Sequence, residues 1–214
     1  YLVRKTKERF FLFAVRGCTL LATLPLFCIL GYVFLQGVTA LDLAFFTHLP
    51  TPVGEPGGGI ANAIVGTTIL ILLACVLGIP VGVFGGLWLA EYGQGKRGFF
   101  IRYAADVLAG IPSIVIGIFA YTILVVPLGR FSALAGGFAL GLMVIPTVMR
   151  TTEELVRMVP ITLRESALAL GIPQWRVTLS VVLRTAWSGI FTGIMLAVAR
   201  VAGETAPLLF TSFN

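Results

Sequence analysis

Residues 60–90 read IANAIVGTTILILLACVLGIPVGVFGGLWLA, and this stretch decides the fold. It carries no charge over 31 positions. At about 1.5 Å per helical residue it is longer than the roughly 30 Å hydrocarbon layer of a bilayer requires. It must therefore tilt, kink near Pro80 or begin with an interfacial piece. Gly78, Gly82 and Gly86 recur every four residues, with Ala90 next. Their side of the helix is nearly bare backbone, which lets another helix approach closely. Gly137/Gly141 and Gly189/Gly193 repeat the spacing. The reading adopted for all three sets is packing within the chain, over a seam between two copies.

Working outward, other uncharged runs flank this one: Gly17–Leu41, Val107–Gly129, Phe131–Met149 and the shorter Thr185–Ala199. Across the 214 residues 58% are hydrophobic and 11% charged. That is too little charge to coat a soluble globule, and too much apolar surface for a disordered chain. The fold class is all-α, a polytopic transmembrane helical bundle. Five spans are predicted, over about 17–36, 60–90, 104–127, 131–149 and 178–203. Pro50, Pro52, Pro56 and Gly57-Gly58-Gly59 break any helix in the connection between the first two.

The net charge of +6 is a topology signal. Arg4, Lys5, Lys7, Arg9 and Arg16 precede the first span, and Lys96, Arg97 and Arg102 follow the second. Arg150, Arg157, Arg164, Arg176 and Arg184 lie between the fourth and fifth. The connection between spans one and two carries Asp42 and Glu55 and no basic residue. The positive-inside rule then puts the N-terminus in the cytoplasm. Single-stranded nucleic acid would need aromatic residues interleaved with the charges, and none are, so no nucleic-acid partner is predicted. The first apolar run is too long for a cleaved signal sequence, although Val38-Thr39-Ala40 resembles a cleavage site. It reads as a span. Cys18, Cys28 and Cys75 lie in apolar runs without metal-ligand spacing and read as small hydrophobes. His48 is the single histidine, so no histidine site, metal or cofactor is expected. The chain starts at Tyr1 and stops about ten residues past the fifth span, which suggests a fragment lacking a last helix.

Gly93-Gln94-Gly95-Lys96-Arg97-Gly98 matches GxGxxG literally. That fingerprint needs a strand before and a helix after it inside a βαβ unit, and here it joins two membrane spans. No Walker A sequence is present, so any ATP must be bound by another chain. Leu163-Arg164-Glu165-Ser166-Ala167-Leu168-Ala169-Leu170-Gly171-Ile172-Pro173 reads as a short amphipathic helix over 161–170. Gly171 suits the C′ position and Pro173 prevents continuation. Leu163, Ala167 and Leu170 share one side at i, i+4, i+7 spacing, as in a helix that inserts into a partner's groove.

This stretch resembles the EAA loop of permease subunits of binding-protein-dependent ABC importers. The family pattern is Glu-Ala-Ala, three residues, Gly, nine residues, then Ile-x-Leu-Pro. The chain supplies Glu165, Ser166, Ala167 and Gly171, then Val181-Val182-Leu183-Arg184. Ser replaces Ala, Val replaces Ile, and Arg184 stands where the proline would be. Farther on, Arg200-Val201-Ala202-Gly203-Glu204-Thr205-Ala206-Pro207-Leu208-Leu209-Phe210 is similar to the A-type permease of the bacterial phosphate-specific transport system. The resemblance covers about 60–214 and implies an importer-permease (MetI-like) fold.

It also implies a division into a basic arm over 1–16, a first span and outer loop over 17–59, and the permease domain over 60–214. That domain includes a coupling helix at about 161–171. Glu165, Ser166, Ala167 and Gly171 would face an ATPase dimer. A second, homologous permease and an extracytoplasmic phosphate-binding protein would complete the complex in the bacterial inner membrane.

An ionisable group inside a span costs about 2.5–3.5 kcal/mol on insertion scales, which makes it a functional candidate. Arg200 lies 16 residues past Arg184, or roughly 24 Å along a helix, in the outer part of the bilayer. Glu204 follows at i+4 on the same face. The two form either a neutralised structural bridge or a pathway pair. In the second reading Arg200 offers its guanidinium fork to an oxyanion and Glu204 keeps the grip from being too tight for release.

Arg150 is a pathway residue by resemblance and a snorkelling residue by position. Thr205, bracketed by Gly203 and Pro207, lines the path if the break there borders a cavity. Arg130 could meet an incoming anion, although a lone surface arginine is ordinarily just solvated. Asp106 reads as helix-terminal or packing. No set of residues for covalent chemistry is present, so the chain is read as a transport subunit rather than an enzyme. The predicted function is ATP-driven phosphate import with hydrolysis on a partner chain. The alternatives are another oxyanion such as molybdate or sulfate, an ion-gradient-driven transporter, or a non-transporting anchor in phosphate sensing.

Overall fold

The computed structural model describes residues 2–52, 54 and 57–212. Glu55 and Pro56, read above as part of the outer connection, lie outside the described residues, as do Tyr1 and Asn214 and the side chains of Arg4 and Lys5. The described residues are helical without a strand. Among the described residues four helices are long and apolar enough to cross a membrane, or five if one bent pair counts as a span. The chain forms two compact units, Tyr1–Ala63 and Ile64–Asn214.

In the first unit α1 runs unbroken over Leu2–Gly37, through Pro25. The basic arm expected over 1–16 is thus the first part of the same helix as the span. Its Lys, Arg, Glu and Leu residues are good helix formers, and no Gly or Pro interrupts them before Gly17. A 3₁₀ turn at Val38–Ala40 leads to the short α2, Leu43–Thr47. Asp42 caps α2, its Oδ1 accepting from the Phe45 N–H at 2.7 Å. The chain then folds back over α2: Gly59 N–H donates to Leu49 O and Ile60 N–H to Phe45 O, at 3.1 and 2.8 Å. Gly58 turns with φ +90°, a value glycine adopts without a Cβ penalty.

The second unit is organised on α7. α3 (Ala61–Glu91) bridges the two units in sequence, and its glycines close a seam with α7 (Ala133–Arg157). A Cβ added at Gly78 would lie 2.7 Å from Val144 Cβ, and one at Gly82 would lie 2.7 Å from Val148 Cβ. At Gly86 it would meet Thr152 Cβ at 2.7 Å. The four-residue spacing is thus used within the chain, one α7 side chain filling each bare position. On another side of α7 lies α10 (Leu183–Ala202), where Gly189 faces Leu155 and Gly193 faces Thr151. Leu140, Val144, Val148, Val156, Ile190 and Ala197 form the buried centre.

α4 (Lys96–Gly110) starts at the GxGxxG turn. Gly95 there has φ +82°, and a Cβ on Gly98 would strike the Gly93 carbonyl, so these glycines close a tight inter-helix corner. The third span, expected as one helix over 104–127, is broken instead. α4 and the following segment, which starts with α5 (Ser113–Ala120), meet at 102°. Pro112 has no N–H to continue the ladder, and its ring pushes Ile111 out of the helical region to φ −71°, ψ 131°. A π-helical turn at Tyr121–Val125 carries α5 into α6 (Val126–Leu128), and Gly129, at φ 65°, ends it.

α7 outlasts the uncharged run that predicted it by two turns, to Arg157. α8 spans Ile161–Ala169. α9 (Gln174–Val177) continues through a second π-helical turn, Thr178–Val182, into α10. The chain then closes with α11 (Leu208–Thr211).

Candidate functional site

Arg200 lies in the last turn of α10, exposed, where a cation complements the helix dipole. The helix stops at Ala202. Gly203 N–H donates to Arg200 O at 3.2 Å and Glu204 N–H to Val201 O at 3.1 Å, three-residue spacings that tighten the end. Glu204 is therefore off the i+4 α-helical register assumed from the sequence, and among the described residues it makes no ion pair with Arg200 within 4.0 Å. Glu204 is half-buried and Thr205 exposed.

The segment after them is firmly held. A Cβ on Gly117 of α5 would lie 2.7 Å from Pro207 Cα, so backbone packs directly on backbone. Thr211 Oγ1 donates to Pro207 O at 2.9 Å, and Ser132 N–H donates to Thr211 O at 3.1 Å. The break is closed by its own turn bonds and packs on α5, and the α11 that follows it is tied to the start of α7.

The Arg157 end of α7 holds a second constellation, centred on a residue that the sequence reading did not single out. Glu153 is 2% exposed and takes three guanidiniums. Arg102 Nε of α4 donates to its Oε1 at 2.6 Å, Arg157 Nη2 lies 2.7 Å from the same oxygen, and Arg150 Nη1 lies 3.4 Å from Oε2. Arg150 also grips Asp106 of α4, with Nε–Oδ1 at 2.9 Å and Nη2–Oδ1 at 2.6 Å. Asp106, read as helix-terminal or packing, is thus the main partner of Arg150. The guanidinium expected in the pathway is engaged by two carboxylates. Arg102 further donates to Leu89 O at 3.0 Å, capping a free carbonyl at the end of α3. Arg150-x-x-Glu153 and Glu153-x-x-x-Arg157 carry the i,i+3 and i,i+4 signal that would have exposed this cluster, had the helix been followed past Met149.

On α8, Glu165 and Ser166 are exposed and Ala167 is buried. Ser166 Oγ donates back to Thr162 O at 2.7 Å. Gly171, at φ +77°, ends the segment as its sequence position predicted, with nothing near its Cβ direction. Of the three side chains expected on one apolar side, Ala167 alone turns inward. Leu163 and Leu170 are 43% and 80% exposed, and Met158, Ile161 and Leu168 are exposed as well. Arg164, beside Glu165, points the other way, into an ion pair with Glu91 and a 2.6 Å hydrogen bond to Val156 O. Among the described residues no group of His, Cys, Asp and Glu side chains is placed to hold a metal ion.

A family model described as "Binding-protein-dependent transport system inner membrane component" matches residues 82–212. The chain is 45% identical over 212 residues to the phosphate transport system permease protein PstA of Yersinia pestis, covering 99% of this chain and 72% of that protein. It is 50% identical over 181 residues to the protein of the same name from Xylella fastidiosa (strain Temecula1 / ATCC 700964), covering 84% of this chain and 63% of that one. The chain thus spans about two thirds of the length of these relatives. Among solved structures it is similar to a chain of the MetNI methionine ABC transporter in an inward-facing conformation. The TM-score is 0.59 with 20% identity, over 73% of this chain and 74% of that one, a likeness of fold.

Proposed function

The chain belongs to the family of binding-protein-dependent transport system inner membrane components, among its PstA phosphate permeases, and we propose that it is the phosphate-conducting permease subunit of an importer powered by ATP hydrolysis on a separate chain. The supporting observation is the pair of states in which its arginines are held. Arg102, Arg150, Arg157 and Arg164 are each committed to carboxylates, whereas Arg200, like Arg97, Arg130, Arg176 and Arg184, is exposed without such a partner among the described residues; of these Arg200 lies at the end of α10, beside the break in the span. A guanidinium fork of that kind suits a phosphate oxyanion, and its contact strengthens as water is excluded. Glu204 and Thr205 follow at the break, where the first keeps the local charge low enough for release and the second offers a hydroxyl.

Arg150 serves a different step in this reading. Anion arriving at the Arg157 end meets a cluster of guanidiniums and carboxylates in which the positive charges are in excess. The charge pattern puts that end and α8 on the cytoplasmic face, with the N-terminus on the same side. A homologous second permease completes the passage, and a phosphate-binding protein delivers from outside. The ATPase docks on the exposed residues of α8 around Glu165, Ser166 and Gly171. Closing of the ATPase pair on ATP moves α8 and opens the passage inward.

Reconstitution of the full importer tests this. Labelled phosphate should accumulate only with ATP, and a tenfold excess of molybdate or sulfate should leave the rate unchanged. Strong competition by either oxyanion would reassign the substrate, and uptake without ATP would reassign the energy source. E165K should reduce both co-purified ATPase and uptake by about tenfold, the scale of one lost charge-assisted contact plus repulsion. Retention of both at the normal level would remove Glu165 from the docking surface.

A further inference from the structure

Arg164 and Glu91 lie 73 residues apart in the chain and meet in a partly buried ion pair. Their side chains are 20% and 7% exposed. Glu91 is the last residue of α3. Arg164 also donates to Val156 O, a carbonyl in the last turn of α7 that accepts from the Val159 N–H as well, at 3.3 Å. One guanidinium therefore ties α8 to the ends of both helices of the glycine seam. Among the described residues, the side-chain hydrogen bonds joining α8 to other elements both come from Arg164.

The two flanks of α8 differ. Its leading end joins α7 through Met158, Val159 and Pro160, with Val159 buried. Its trailing end leaves through Gly171, which has positive φ and no neighbour within 4 Å of its Cβ direction. The leading flank is anchored to α7, and the trailing flank turns at Gly171 into α9, on which α8 also packs. A displacement of α8 reaches α7 through the chain itself, but reaches α3 through the Arg164 fork.

We propose that Arg164, with Glu91 as its counterpart, is the joint that transmits movement of α8 to α3. Arg164 is a positioning residue for transport, distinct from the exposed Glu165 beside it. The planar fork matters because it satisfies a carboxylate and a carbonyl at once in fixed directions, which a lysine cannot do. This inference rests on the reading of the chain as an ATP-driven importer subunit.

The test uses the assembled importer in proteoliposomes and reads phosphate carried per ATP hydrolysed. In R164M that ratio should fall about tenfold, within the usual range for coupling between two sites. ATPase should still co-purify and still hydrolyse ATP. The reversed pair E91R/R164E should exceed either single change by restoring the tie to α3, although a carboxylate at 164 cannot donate to Val156 O. An unchanged ratio in R164M, or a reversed pair no better than the singles, overturns the joint. If R164M does not assemble, E91Q is read by the same ratio with the same outcomes.

Spin labels at Gln94 and Leu168 in the solubilised chain give a second reading. The distance distribution should be narrow in the wild type and broad in R164M, and equal widths overturn the joint. Failure of the wild-type importer to carry phosphate would count against the functional reading, while the label widths still decide the joint.

Discussion

Arg200→Ala lowers phosphate uptake by about 100-fold while leaving assembly with the ATPase intact. A hydrogen bond to a charged group contributes about 1.5–3 kcal/mol. A fork that grips two phosphate oxygens and is lost altogether therefore removes on the order of 100-fold, at about 1.4 kcal/mol per decade. Arg200→Lys should recover part of the rate, because the charge returns without the two-pronged geometry. The helix should not suffer, since Arg200 is exposed and its partners in the last turn are backbone groups. Initial rates of labelled uptake, normalised to the ATPase bound, check this. Wild-type rates in R200A would take Arg200 out of the path.

Glu153→Leu destabilises the permease unit by about 1–3 kcal/mol, the cost of leaving hydrogen-bonded groups without their partner, because the guanidiniums it strands are 22%, 35% and 53% exposed and water screens them. Three guanidiniums, from Arg102, Arg150 and Arg157, converge on this one buried carboxylate. Without it they repel one another, and the ion pair left between α4 and α7 is the water-exposed Arg150–Asp106. E153Q should cost less, because the amide oxygen still accepts from one guanidinium. D106N should cost little, about 1 kcal/mol or below, because Asp106 is 55% exposed and water screens its pair with Arg150. Denaturant or thermal unfolding of the solubilised chain orders these variants. Wild-type stability in E153L would show that the cluster contributes nothing net.

The helical class and the position of the spans were legible because hydrocarbon demands long uncharged runs, and these stand out in any reading. The corner at Gly171 was legible too, because a helix end followed by Ile-Pro has few other conformations. Three features were hidden by the same signal that revealed the spans. Val107–Gly129 is apolar throughout, so hydropathy reads straight across the bend, although Pro112 already forbids a continuous ladder there. α7 was cut at Met149 because charge begins at Arg150. The extra turns to Arg157 are stabilised by Glu153 neutralising its neighbours, a gain that a run-length criterion counts as a boundary. The i+4 relation of Arg200 and Glu204 assumed a helix through Gly203, whereas the tight turn at Gly203–Glu204 ends it. The tie between Glu91 and Arg164 joins residues far apart in the chain, and no periodicity within one helix encodes such a meeting.

Along the contact between α3 and α7, a residue can change only in step with the one across from it. Val144, Val148 and Thr152 each occupy the room that a missing side chain leaves at 78, 82 and 86. A methyl gained on one side must be surrendered on the other, or the two helix axes must part. Homologous chains should therefore drift by compensating exchanges at 78/144, 82/148 and 86/152, and an unmatched exchange would mark a lineage in which these axes have separated.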